Sequence, residues 1–396
     1  MKPEGPLSGV KVIELARILA GPWAGQVLAD MGADVIKIER PGSGDDTRGW
    51  GPPFVERIDG GAPDAAYFHS CNRGKRSIEI DITSKDGQET VRQLVADADI
   101  LIENFKTGGL EHYGLDYDTL RKTNARLVYC SITGFGHDGP RAQEAGYDFM
   151  IQGMSGLMDI TGEADGPPQK VGVAVADLLT GLYGVIGIQA ALRHAEATGV
   201  GQHIDMSLFD CQTAALANQA MNYLVSGIAP HRMGNAHPNI SPYETVPVAD
   251  GHVILAVGNN GQFAKLMARL GAVELSMDER FSSNRNRVAN RQVLHSLLSE
   301  LTGNWRRDEL LEALAADGVP AGPINDVGDA FEDPQIKARG MKLDLADASL
   351  VDGSAPSVRT PITMSETPLV YTTPSPRLGQ HTEEILDELR TRNPAK

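Results

Sequence analysis

Cysteine is scarce in this chain. Its three residues, Cys71, Cys130 and Cys211, are far apart and form no CxxC pair. Neither a disulfide framework nor a thiolate zinc site is indicated, and a cytoplasmic setting is expected. Basic residues are also few, 36 Lys and Arg against 52 Asp and Glu, for a net charge of −16. Nucleic acid is a poor partner for such a chain, whereas a small anion held by a local cluster of Arg and Lys is compatible with it. Long apolar runs are missing too. The most apolar stretch, 178–192, is interrupted by Thr180 and Gln189 and is shorter than the ~20 residues of a membrane span. It reads as a buried helix, with no membrane partner expected. The opening MKPEGPLSGVKV lacks the apolar core of a secretory leader. Three catalytic signatures are absent as well. The ten histidines form no HExxH, and neither a GxSxG elbow nor a GxGxxG loop occurs, so no metal site is expected.

What is present is a globular composition, 41% hydrophobic and 22% charged over 396 residues. That length favours two or more domains. β-rich runs at 10–15, 35–38, 77–82, 100–103 and 127–133 alternate with helical patterns at 23–31, 87–96 and 117–122. The alternation predicts an α/β fold with a parallel, doubly wound sheet. A helix is predicted from Asp177 to about 195, and Gly181, Gly184 and Gly187 on it should admit another helix closely. The Gly-, Pro- and Asn-rich segment 226–243 reads as a linker. Beyond it a smaller mixed α/β unit should hold a strand at 253–257, the turn Gly258-Asn259-Asn260-Gly261, and helices at 262–271, 287–301 and 307–316. An irregular, proline-rich stretch follows 323, and a helix at 383–390 ends the pattern.

The first strand–helix turn runs from Ile18 through Ala20 to Gly25, where a dinucleotide phosphate loop would lie, and Glu39 ends the next strand. With only Gly21 and Gly25 available, and Pro22 suited to a first helical turn, a nicotinamide enzyme has little support against an ordinary turn. Lys37, Arg40, Arg48, Arg73, Lys75 and Arg76 follow the early strands, and Asn104-Phe105 follows strand 100–103. In a doubly wound sheet those positions share one rim, so the cations either converge on phosphates or form a solvated face. The stretch 146–181 carries Tyr147, Asp148, Asp159, Glu163, Asp165 and Asp177 among glycines. Asp177 follows the apolar run 171–176 and precedes the glycine-striped helix, so partial burial is expected. It is read either as that helix's N-cap or as a carboxylate nucleophile or general base. The two are compatible, because a helix dipole keeps a nearby carboxylate ionised.

Taken in order, several pieces are similar to family III CoA-transferases: LSGVKVIELARILAGPWAGQVLADMGADVIKIERPGSGDDTRGW, CNRGKRSIEIDI, ADILIENF, GYDFMIQGMSGLM, VGVAVADLLTG, GVPAGPIN with DPQIKARGM, and LGQHTEEIL. The resemblance implies a Rossmann-like large domain plus a smaller α/β domain in an interlocked homodimer. The division it implies is residues 1–225, an inserted 226–325, and 326–396 returning to the large domain. Through it Asp177 corresponds to the catalytic aspartate, and Ile18, Ala20, Arg40, Asn104 and Phe105 to CoA-contacting positions. Lys75 and Arg76 lie in the matching basic motif, beside Arg73. His112 and Ala145 stand where formyl-CoA transferase places an Arg and a Lys, and Arg73 and Arg141 are the candidates to substitute. Tyr147 and the turn Gly258, Asn259, Asn260 and Gly261 are expected at the substrate or over developing oxyanions. The implied activity is transfer of CoA from an acyl-CoA to a free carboxylic acid through mixed anhydrides and an aspartyl-CoA thioester. The partners are those two small molecules, with no permanently bound cofactor. Two alternatives carry over, a related acyl-CoA racemase and a catalytically silent CoA-binding protein. The racemases carry histidine where this chain has Tyr147, and a phenol, with an ordinary pKa of ~10, is a poor proton shuttle near neutrality.

Overall fold

The computed structural model describes residues 5–392, which form two compact units. The first takes the chain up to Gly156, Val171–Met221 and the chain from Pro334; the second takes Leu157–Lys170 and Asn222–Asp333.

In the first unit the β-branched run KVIEL forms β1 (Lys11–Leu15), and a sharp turn leads into α1 (Ala20–Asp30). Pro22 sits in the opening turn of α1, where its missing N–H costs no helical bond. Gly32, with φ +96°, turns the chain into β2 (Asp34–Glu39). The remaining main elements are β3 (Arg76–Glu79), α2 (Lys85–Ala96), β4 (Ile100–Glu103), β5 (Val128–Thr133), α3 (Asp148–Met154), α4 (Val175–Thr198) and β6 (His203–Ser207). The six strands are parallel, in the order β3-β2-β1-β4-β5-β6. The order reverses between β1 and β4, and in open α/β sheets a ligand crevice opens at that place, beyond the strands' C-terminal ends.

Alternation along the strands sorts the core into two layers. Val12, Ile100, Ile102, Val128, Cys130 and Ile132 face the layer shared with α1 and α4. Ile13, Leu15, Leu101 and Tyr129 face the layer shared with α2 and the terminal helix Thr382–Arg392. The long helix α4 exceeds the apolar stretch read from the sequence. It has 24 residues and by length and composition alone could cross a bilayer, yet it packs one side on this sheet. Of its three glycines, Gly181 makes the close approach. A Cβ there would lie 2.7 Å from the Ala20 carbonyl oxygen of α1, whereas Gly184 and Gly187 have ordinary room.

The second unit holds the three-stranded antiparallel sheet of β7 (Tyr243–Val248), β8 (Gly251–Ala256) and β9 (Ala321–Pro323), packed on helices through Phe263, Leu266, Leu294 and Leu310. The helix expected at 287–301 is two, Asn284–Ala289 and Arg291–Thr302, meeting at Asn290. Leu157–Lys170, expected in the large domain, groups with this unit. The Gly234 N–H donates to the Gly162 carbonyl, and Arg232 pairs with Asp159 at 3.0 Å.

Candidate active site

A cavity of about 660 Å³ opens at the C-terminal ends of β1, β2, β4 and β5. The sheet order alone puts it there, since each strand delivers its following loop to the same rim. β1 supplies Ile18 and Ala20, β2 supplies Arg40, and β4 supplies Asn104 and Phe105; Tyr147 and Asp177 complete the wall. Residues separated by up to 159 positions thus converge.

Asp177 does not cap its helix. The N-cap is Ala174, and Asp177 stands in the first turn of α4. The capping role belongs to Asp148, whose Oδ1 accepts the Ala176 N–H at 2.8 Å and the Asp177 N–H at 3.4 Å. Its Oδ2 accepts from Gln152 Nε2 at 2.7 Å, and the buried Gln152 holds the segment leading into α4 by accepting the Val171 N–H at 2.9 Å. The helix-terminal amides are therefore spent on Asp148. Burial first, and the neighbouring Asp148 charge second, push the Asp177 carboxyl up to about 7. The expectation of a carboxylate kept fully ionised by the dipole is corrected accordingly, because desolvation and like charge outweigh it here. A carboxyl raised in this way at a cavity wall makes Asp177 the candidate reactive group.

The basic rim divides. Arg40 is exposed on the cavity wall and has no ion-pair partner among the described residues. Arg73, Lys75 and Arg76 are not at the cavity, because acidic partners hold them elsewhere. Arg73 is buried against Asp30, its Nε donating at 3.0 Å. Lys75 is fully buried, with Nζ 2.8 Å from Glu14 Oε2 and bonded to Pro22 O and Asn72 Oδ1. Arg76 links Asp34 to Glu384 and Glu388 of the terminal helix. These three serve the fold. Arg48 is likewise bound to Glu39 and Asp64, and Lys37 to Glu14 and Asp45. Arg141 pairs with Glu144 at 2.8 Å.

Lys106 is the cation that sequence reasoning missed. It lines the cavity, exposed, directly after Phe105. Its position next to Asn104-Phe105 on the same rim was the available signal. Asn104 has a role beyond lining: its Oδ1 accepts the Arg17 N–H at 3.0 Å and its Nδ2 donates to the Arg17 carbonyl at 2.7 Å. The stretch Gly258 to Gly261 belongs to the second unit, following β8 and running into the first turn of α5 (Asn260–Arg269). Asn259 caps α5, and the Gly258 N–H donates to Gln262 Oε1 at 2.8 Å, so this amide already has an acceptor. Among the described residues no cluster of three or more His, Cys, Asp or Glu side chains is arranged to hold a metal ion.

The family model of CoA-transferase family III matches residues 7–382. The chain is 59% identical over 387 residues to a succinate–glutarate CoA-transferase of Agrobacterium fabrum, covering 98% of this chain and 96% of that one. It is 41% identical over 392 residues to the succinyl-CoA:glutarate CoA-transferase of Homo sapiens, covering 97% and 86%. Among solved structures, a CaiB/BaiF family protein from Brucella suis superposes with a TM-score of 0.86 at 61% identity, covering 98% of this chain and 100% of that one.

Proposed function

The chain belongs to CoA-transferase family III and is an enzyme moving CoA between an acyl-CoA and a carboxylate; from that premise we propose a covalent route through Asp177, with a succinyl-CoA-type donor and a glutarate-class dicarboxylate as acceptor. The carrying observation is the half-buried Asp177 at the cavity wall, its carboxyl poised near neutrality and its helix capped by a different acid. The ionised Asp177 attacks the thioester carbonyl, and the C–S bond breaks to leave a mixed anhydride and the CoA thiolate. The thiolate then attacks the aspartyl carbonyl, releasing the donor's carboxylate and leaving an aspartyl-CoA thioester. The acceptor carboxylate attacks that thioester, breaking its C–S bond to give an aspartyl–acceptor anhydride and the CoA thiolate, and the thiolate then attacks the acceptor's acyl carbon and expels the Asp177 carboxylate. No redox step occurs, and a carboxylate is a matched nucleophile because each exchange trades like for like.

Arg40 and Lys106 hold the CoA phosphates in this reading, and Phe105 offers a face for the base. Arg40 keeps its family position, and Lys106 is a further cation on the wall that Ala145 also lines, where His112 and Ala145 stand in place of a relative's Arg and Lys. The Gly258 amide, already bonded to Gln262, is not free for the oxyanion role expected of Gly258, Asn259, Asn260 and Gly261. The acceptor choice rests on the 59% and 41% identical relatives. The test is incubation with succinyl-CoA and a panel of mono- and dicarboxylates, followed by mass spectrometry of the CoA esters and by hydroxylamine or borohydride trapping. Glutaryl-CoA formation with label on Asp177 alone supports the reading; turnover persisting in Asp177→Ala refutes it.

The homodimer belongs to the same proposal. α4 carries apolar side chains beyond the side packed on the sheet, and an apolar helix face of that kind is ordinarily covered. Within this chain Leu182, Tyr183 and Ile186 stay 42%, 45% and 64% exposed, a face suited to a second copy. If the subunits are interlocked, native exchange between tagged and untagged dimers is very slow, and mixing within minutes refutes threading.

A further inference from the structure

The three residues that connect β1 to the cavity have their backbone polar groups individually held. The Ala16 carbonyl accepts from the buried Lys37 Nζ at 2.8 Å. Arg17 is gripped at both N–H and C=O by the Asn104 amide. The Ile18 N–H donates to both oxygens of Asp45 at 3.2 Å, and the Ile18 carbonyl faces Cys71 Sγ at 3.6 Å. Ile18 needs this restraint. Its φ is +74°, a left-handed conformation in which a β-branched side chain crowds its own backbone. Such a residue persists only where its surroundings over-determine it, and it occurs preferentially at ligand sites.

Asp45 is the group best placed to impose the conformation. It is buried and bonded to the Thr47 N–H at 3.0 Å and the Thr47 hydroxyl at 2.7 Å, and it is paired with Lys37 Nζ at 2.9 Å. Lys37 in turn reaches Glu14 at 3.0 Å. Lys37 therefore bonds the Ala16 carbonyl directly and the Ile18 amide through Asp45, closing a clamp around the turn. The left-handed turn sends the chain from the sheet into α1 with Ile18 and Ala20 on the cavity wall.

We propose that Asp45 is a positioning residue for acyl-CoA binding, acting by holding Ile18 in its left-handed conformation. The proposal rests on the CoA reading of the cavity. Glycine adopts φ +74° without crowding, which supplies the control. In Asp45→Asn the charge is lost, Ile18 relaxes, and KM for succinyl-CoA rises about tenfold, the worth of one charge-assisted contact, with kcat moving less. Because Ile18 itself lines the cavity, Ile18→Gly alone sets the baseline, and adding Asp45→Asn to it leaves KM nearly unmoved, since no crowding remains to restrain. Thr47→Ala, which takes one donor from Asp45 and leaves Lys37 paired, is the milder version should Asp45→Asn fold poorly. It raises KM in the same direction, and that rise is likewise lost when it is added to Ile18→Gly. A merely structural Asp45 lowers the melting temperature and leaves KM alone. An unmoved CoA-ester KM in the folded Asp45→Asn and Thr47→Ala variants, or a rise as large when Asp45→Asn is added to Ile18→Gly as when it is made in the wild type, overturns the positioning role alone. Wild-type enzyme that shows no saturation by the CoA ester overturns the CoA reading and this proposal with it.

Discussion

Replacing Asp177 by asparagine removes the proposed nucleophile and should make the protein more stable at alkaline pH. The folded carboxyl titrates at about 7 against an ordinary 3.8. Below about pH 4 the group is protonated in both folded and unfolded chains, so its contribution cancels. Between those values the unfolded chain releases a proton that the folded protein keeps, and stability falls as pH rises. Above pH 7 the loss is complete. Some three pKa steps at 1.36 kcal/mol each set a ceiling of ~4 kcal/mol on the penalty carried by the wild type. The melting temperature of Asp177→Asn minus that of the wild type should therefore grow from near zero at acid pH to several degrees at pH 8, at about 2–4 °C per kcal/mol. Calorimetric scans of both proteins across this range measure it. A difference that stays flat with pH, or a variant less stable at pH 8, refutes the assignment of a raised carboxyl to Asp177.

The same titration shapes activity. kcat/KM should fall below about pH 7 along a single acid limb, because only the ionised Asp177 attacks. Asp148→Asn, which removes the like charge but keeps an acceptor for the Ala176 amide, should move that limb to lower pH, as pH–rate profiles would show. Arg40→Ala should raise the KM for the CoA ester with little effect on that of the acceptor acid. The defect should shrink as salt rises and screens the wild-type contact. An unchanged KM makes Arg40 a surface residue. Arg73→Ala strands the buried Asp30 and should cost ~3–5 kcal/mol of stability by denaturant melts, with the CoA-ester KM unchanged once folded. Gly181→Ala drives a Cβ to 2.7 Å from the Ala20 carbonyl and should cost ~1–3 kcal/mol, while Gly184→Ala, with Cys130 Sγ at 3.8 Å, is close to neutral; equal melting temperatures for the two would contradict the packing.

The linear pattern alone determined the strand–helix alternation, the parallel sheet and its rim. Those follow from side-chain periodicity and local turn chemistry, which act over a few residues. The same local logic picked out Asp177 and the Asn104-Phe105 step, since both sit at the ends of strongly patterned segments. Which charges remain available for a ligand was decided only in three dimensions. Arg40 and Arg73 look alike as letters after a strand, yet Asp30, distant in sequence, claims one and nothing described claims the other. The helix cap was settled in the same way. Asp177 had the better local credentials, but Asp148 arrives 29 residues earlier in the chain and takes the amides. Desolvation then sets the proton affinity of Asp177. Burial and ion pairing are sums over neighbours that the fold assembles, so no window of sequence contains them.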